Sequence, residues 1–91
     1  MKVFCGRVKM NGRVYEKWRS IPEELTEYVL WMIDLGYAPK TICNYVQMIK
    51  AGKARGLRSY ERFKEWKRLY NWSPDDVDLD KYLFKDYVIM E

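Results

Sequence analysis

The 91-residue sequence contains no histidine, one glutamine, three asparagines and two cysteines. Without histidine, nucleophilic catalysis of the Ser-His or Cys-His kind has no base. A zinc site would need imidazoles or closely paired cysteines, and neither occurs. Cys5 and Cys43 lie far apart and follow no secretory signal, a pattern that reads as two buried free thiols in a reducing compartment. The longest apolar run, Tyr28 to Ile33, is far shorter than the ~18 residues of a membrane helix. No GxGxxG or GxxxxGK[ST] phosphate cradle is present. The aspartates Asp75, Asp76, Asp78 and Asp80 lack the glycine at position six and the closing glutamate of a calcium loop. The expectation is a soluble, cytoplasmic protein that is not an enzyme, with no catalytic residues, metal or cofactor and no membrane partner. One third of the residues are charged, which, with so few labile amides, is a balance enriched in thermophiles.

Large apolar side chains are plentiful: 48% of the residues are hydrophobic, with 8 Tyr, 4 Trp and 3 Phe. That is enough to pack one core without a covalent staple. From Lys2 to Arg19, β-branched and aromatic residues flank Asn11-Gly12, the strongest short signal for a type I′ hairpin. The register then places Val8 opposite Tyr15, Arg7 opposite Glu16 and Cys5 opposite Trp18. Ser20-Ile21-Pro22-Glu23 fits a capping box, and Leu25, Tyr28, Val29, Met32 and Ile33 form one apolar stripe, predicting a helix over Ile21 to Leu35 that stops at Gly36. Pro39 opens a second helix with the stripe Ile42, Tyr45, Val46 and Ile49, running to Gly52.

The stretch from Gly52 to Gly56 reads as a basic loop, after which Ser59 caps a third helix from Tyr60 to about Tyr70. Leu79, Tyr82, Leu83 and Tyr87 have helical spacing and predict a final helix, although Tyr87 to Met90 alone would also suit a short strand. The expected fold is mainly α, an N-terminal β-hairpin followed by a small bundle of three to four helices. It forms a single domain over 1–91, divided into the hairpin (1–19), a helical core (20–72) and an acidic C-terminal segment (73–91).

Charge is unevenly distributed. Met1 to Trp72 carries 15 basic and 7 acidic residues, whereas Ser73 to Glu91 carries 2 and 6. Lys50 to Arg68 alone holds 8 basic and 2 acidic residues, which would attract a polyanion. The polar side of the second helix carries Lys40, Thr41, Asn44, Gln47 and Ala51, small or hydrogen-bonding groups rather than the Glu and Lys mixture of an indifferent solvent face.

The string from Leu35 through Gly36, Ala38-Pro39-Lys40-Thr41-Ile42 to Tyr45 resembles the N-terminal core-binding, SAM-like domain of tyrosine recombinases. Tyr28 to Ile33 looks like that family's first helix, Asn71 to Pro74 like the turn closing its bundle, and the hairpin is similar to the N-terminal strands of integrases from archaea and their viruses. Ala38 replaces the serine usual at the helix cap. The family's catalytic domain, with its histidine, is absent from these residues. The resemblance therefore implies the DNA-clamping half alone, with the start of the second helix and the basic segment beyond it against the duplex.

The residues point the same way. Lys40 and Thr41 at a helix N-terminus suit phosphate, Asn44 and Gln47 suit adenine edges, and Lys50, Lys53, Arg55, Arg58 and Arg62 extend a phosphate track. Tyr28, Trp31, Tyr45 and Trp66, at helical spacing beside aliphatics, read as core. The same composition also fits a protein-interaction module or small regulatory protein, and an RNA-binding protein. The acidic C-terminal segment allows self-association, masking of the basic face or contact with a partner protein.

Overall fold

A computed structural model describes residues Met1–Met90. The chain runs through strands β1 (Lys2–Met10) and β2 (Arg13–Ser20), a 3-10 turn (Glu23–Leu25), helices α1 (Thr26–Asp34), α2 (Pro39–Lys50) and α3 (Ala54–Tyr70), three further 3-10 turns and strand β3 (Val88–Ile89). The strands form one antiparallel sheet in the order β2-β1-β3. This corrects the expectation of a mainly α bundle: the fold combines a three-stranded sheet with three helices, and the chain's last described strand pairs with its first.

The hairpin forms as its turn chemistry demands. Asn11 and Gly12 both take positive φ (51° and 77°), so the turn's twist matches that of the strands. Val8 pairs with Tyr15 and Arg7 with Glu16, as expected, but Trp18 faces Phe4 rather than Cys5. A bulge between Phe4 and Gly6 inserts Cys5 as an extra residue and shifts every pair on the body side by one. The bulge lets Cys5 reach α2, where it forms a disulfide with Cys43 at a Cα–Cα separation of 5.9 Å. The expected pair of free thiols is thus corrected to a covalent tie between sheet and helix.

Helix α1 is the centre of the core. Every residue from Tyr28 to Ile33 is buried, so the predicted stripe widens to the whole circumference, as in a helix surrounded by other elements. The capping box does not form, because Ser20 is held in β2 opposite Lys2 and no side chain caps the turn that begins after Pro22. Val3, Ile42, Val46 and Phe63 pack around α1. Tyr28 donates to or accepts from Ser59 Oγ at 2.7 Å, and Lys67 Nζ meets Glu27 Oε2 at 2.7 Å, both joining α3 to α1. Ser59 is therefore a mid-helix tie rather than a cap.

Helix α3 starts at Ala54, five residues before the predicted cap, so the expected basic loop is helical from there on. Its Gly56 is a packing glycine. A Cβ at this position would stand 2.6 Å from Met48 Cβ and 2.9 Å from the Ile49 backbone nitrogen, so only a bare backbone allows α2 and α3 to approach this closely.

Beyond Asn71, which ends α3 in the left-handed region (φ 50°), the expected C-terminal helix is replaced by short turns. Ser73 Oγ accepts from the Asp75 N–H at 3.3 Å and Asp78 Oδ1 from the Asp80 N–H at 3.1 Å, so polar side chains take backbone donors that a helix would use. Leu83, one of the apolar residues whose spacing predicted that helix, is exposed. Two donors anchor this segment to the end of α1: Trp72 Nε1 donates to Asp34 Oδ2 at 3.2 Å, and the Tyr82 hydroxyl donates to Asp34 Oδ1. At the sheet, Tyr87 stacks on Phe4 with ring centroids 4.8 Å apart.

Two substitutions probe these ties. Breaking the disulfide, which spans 38 residues, by Cys43→Ser or by a reductant should lower unfolding free energy by about 4 kcal/mol, read from denaturant curves with and without reductant. Gly56→Ala should destabilise by about 1–3 kcal/mol through overpacking, whereas an unchanged midpoint would show that the helices can separate freely.

Candidate nucleic-acid interface

Helix α2 begins with Pro39 at its first position after an extended Ala38 (ψ 148°), and no side chain caps it. Among the described residues, the N–H groups of its first turn thus have no side-chain cap. Ile42, Cys43 and Val46 face inward, which turns Lys40, Asn44, Gln47 and Ala51 outward along one stripe, with Thr41 exposed beside it. The Cys43 disulfide fixes the rotation of this helix, since its sulfur must meet Cys5.

At the C-terminal end of the stripe lies an open groove lined by Arg19, Asn44, Gln47, Met48, Lys50, Ala51 and Lys53. Three cations and two carboxamides converge there with no carboxylate among them. Arg19 reaches it from β2. Paired with Val3, whose side chain is fully buried against the helices, it points to the same side of the sheet. Its Nε is shielded from solvent and finds no acceptor among the described residues. A buried donor without a partner is uncommon and is satisfied when an acceptor enters.

The other expected contacts separate. Lys40 and Lys50 stand at opposite ends of α2, about 15 Å apart along its axis, with Lys53 in the turn beyond, so they form a track rather than a cluster. Arg55 turns to the Tyr45 ring, its guanidinium carbon 5.9 Å from the centroid. Arg58 and Arg62 lie on the outer face of α3 with Glu61, Lys64, Glu65 and Arg68, a mixed-charge surface. The structure therefore brings together Asn44, Gln47, Lys50 and Lys53, continues them to Lys40 and Thr41, and leaves Arg55, Arg58 and Arg62 apart. Of the aromatic residues read as core, Tyr28 and Trp31 are buried, Tyr45 is half-buried, and Trp66 is partly exposed.

The periodicity of the sequence does not single out Arg19. An unbulged hairpin pairs it with Phe4, whereas the bulge in β1 pairs it with Val3 and so brings the buried Val3 to the face on which Arg19 lies. The available signal is Gly6, since a glycine inside a strand marks a bulge. Among the described residues, the acidic C-terminal segment does not line this groove. It enters the sheet through β3, on the other side of β1 from β2, and is anchored at Asp34.

No helix among the described residues is long and apolar enough to cross a membrane. Comparison with protein-family models, with curated proteins and with solved structures finds no match.

Two tyrosines report on the frame that holds the interface. Burial pushes the Tyr28 hydroxyl up to about 12 against the opposing hydrogen bond from Ser59. Donation to the Asp34 carboxylate, followed by desolvation, pushes Tyr82 up to about 12. Both shifts favour the neutral phenol in the folded state, so their stabilisation is complete below pH 10 and is lost between about pH 10 and 12. Tyrosinate absorbance should show two groups ionising near pH 12, and Asp34→Ala should remove the Tyr82 contribution while leaving that of Tyr28.

Proposed function

We propose that this chain is a non-catalytic DNA-binding domain that holds duplex phosphates along the polar side of α2. The observation that carries the reading is the groove in which Arg19, Lys50 and Lys53 converge with no carboxylate among the described lining residues, one of them presenting a buried donor that has no acceptor among the described residues. Phosphate oxygens supply both the charge and the acceptor. Asn44 and Gln47, one turn apart beside these cations, have the donor and acceptor pair that matches an adenine edge. The uncapped start of α2 with Lys40 and Thr41 offers a further phosphate position.

This arrangement agrees with the resemblance of Leu35 to Tyr45 to the core-binding domain of tyrosine recombinases, in which the same helix start lies against the duplex. The domain then contributes grip and register to DNA, with any chemistry supplied elsewhere. We place it inside the cell. The disulfide fits that setting in a heat-adapted organism, where intracellular disulfides persist, in keeping with the charge-rich, amide-poor composition.

A second reading is favoured by Trp66, Leu69 and Tyr70, which form a partly exposed apolar hollow with Arg62 and Glu65 near the end of α3. Such a hollow suits a protein partner, and it lies away from the groove residues, so both roles fit one molecule.

Binding of the oxidised protein to duplex DNA, followed by gel shift at several salt concentrations, should weaken steeply as salt rises. Lys40→Ala, Lys50→Ala and Lys53→Ala together should flatten the slope of log K against log salt by about 0.9 for each phosphate that is no longer neutralised, and Arg58→Ala with Arg62→Ala should flatten it less. Undetectable or salt-independent binding would refute the reading, and stronger binding to single-stranded RNA would redirect it.

A further inference from the structure

Only the base of the hairpin is packed. From Arg7 to Lys17 every residue is exposed, and the two strands extend as a free ribbon. The four residues from Arg7 to Met10 carry it about 13 Å beyond the bulge. Within Lys2 to Arg19 there are six basic residues and one acidic residue, Glu16, an excess that the helical basic segment does not include. The ribbon is also apolar: Val8, Met10, Val14 and Tyr15 are 40%, 58%, 62% and 50% exposed.

The pairing sorts these side chains by face. Val8 opposite Tyr15, Met10 opposite Arg13 and Gly6 opposite Lys17 share one side, while Arg7 opposite Glu16 and Lys9 opposite Val14 share the other. The first side is three apolar groups between two cations, with no anion. The second includes the ribbon's only carboxylate. At its base the ribbon continues into Arg19, which lines the α2 groove.

We infer that the free ribbon is a second contact, one that enters the major groove of duplex DNA with Val8, Met10, Arg13 and Tyr15 toward the base edges. The inference rests on the duplex-binding reading above and adds a groove and a reading face to it. A two-stranded ribbon fits the major groove, about 12 Å wide and about 8.5 Å deep, and the minor groove, about 6 Å wide, is too narrow for it. Arg13, beside the turn, reaches furthest and presents the fork that pairs with guanine O6 and N7. The apolar groups meet thymine methyls, which covers side chains that water otherwise surrounds. Lys17, nearer the body, reaches the phosphates of the groove wall. The disulfide at the ribbon's root sets the angle between this contact and the phosphate track on α2.

The test compares two charge-matched variants of the full oxidised chain on the same labelled duplexes. Arg13→Ser with Lys17→Ser alters the reading face, and Arg7→Ser with Lys9→Ser alters the opposite face. All four positions are exposed, so circular dichroism melts should match the parent's. The reading-face variant should lose at least about tenfold in affinity at fixed salt, clearly more than the opposite-face variant. Methylation of guanine N7 in the probe should interfere with the parent's binding, and netropsin in the minor groove should not compete. Equal losses from the two variants, or competition by netropsin without N7 interference, would overturn groove entry. If neither hairpin variant changes binding while the Lys40, Lys50 and Lys53 variant does, this inference falls and the proposed function stands. Failure of the parent to bind duplex DNA would remove both.

Discussion

The covalent tie between Cys5 and Cys43 is the constraint on which the other placements depend. A two-stranded hairpin is marginal in water by itself, and here only its base lies on the core, through Val3 and the half-buried residues around it. The bulge that frees Cys5 to meet α2 also shifts the register on the body side, and that shift selects which side chains face the helices. Val3 is thereby buried and Arg19 is brought to the groove, while Phe4 and Trp18 pair on the other face and receive Tyr87. One inserted residue thus sets the core packing of the sheet, the cation that completes the groove and the aromatic ring against which the C-terminal segment closes.

The features legible in the sequence are those decided within a few residues. Asn11-Gly12 makes its turn, Gly36 and Gly52 stop their helices, and Pro39 starts α2, since each acts on its own backbone. The features that escape such a reading are settled by distant partners. Ser20 is a good cap by type, but pairing with Lys2 keeps it in a strand. Gly52 and Gly56 bracket what looks like a loop, yet Gly56 serves the close approach to Met48 and the helix runs through it. Ser59 meets Tyr28, thirty-one positions away, rather than the start of α3. In the C-terminal segment, apolar spacing alone suggests a helix, whereas Ser73 and Asp78 divert backbone donors locally and Asp34 draws in Trp72 and Tyr82.

The candidate interface is legible to a similar degree. The polar stripe of α2 follows from helical periodicity, so Lys40, Asn44 and Gln47 share the face expected of them. Their meeting with Arg19 depends on the bulge, and the separation of Arg55 from Arg58 and Arg62 depends on the early start of α3. A helix rotates successive residues by about 100°, so basic residues that look contiguous along a loop spread around the axis once the segment is helical. The excess of Lys50 to Arg68 is thus spread around α3, and the hairpin carries a comparable one, six basic residues to one acidic between Lys2 and Arg19.

The distribution of charge over the fold bears on how such a molecule would approach a polyanion. The cations of the groove and ribbon belong to β1, β2, α2 and the turn after α2, while the described part of the acidic C-terminal segment is tied to the end of α1 and enters the sheet beside β1 on the side away from β2. Held there by Asp34 and by pairing with Lys2 and Val3, the described part of the acidic segment does not line the groove. Charges segregated in this way give the molecule a dipole, and in the field of a nucleic acid the basic side turns toward the phosphates as the two approach. The ribbon and the stripe on α2 are joined at their root by the disulfide, so if both contact a duplex as proposed, little orientational freedom would have to be surrendered. On the proposed reading, two weak contacts held at a fixed angle would act with the affinity of one larger surface.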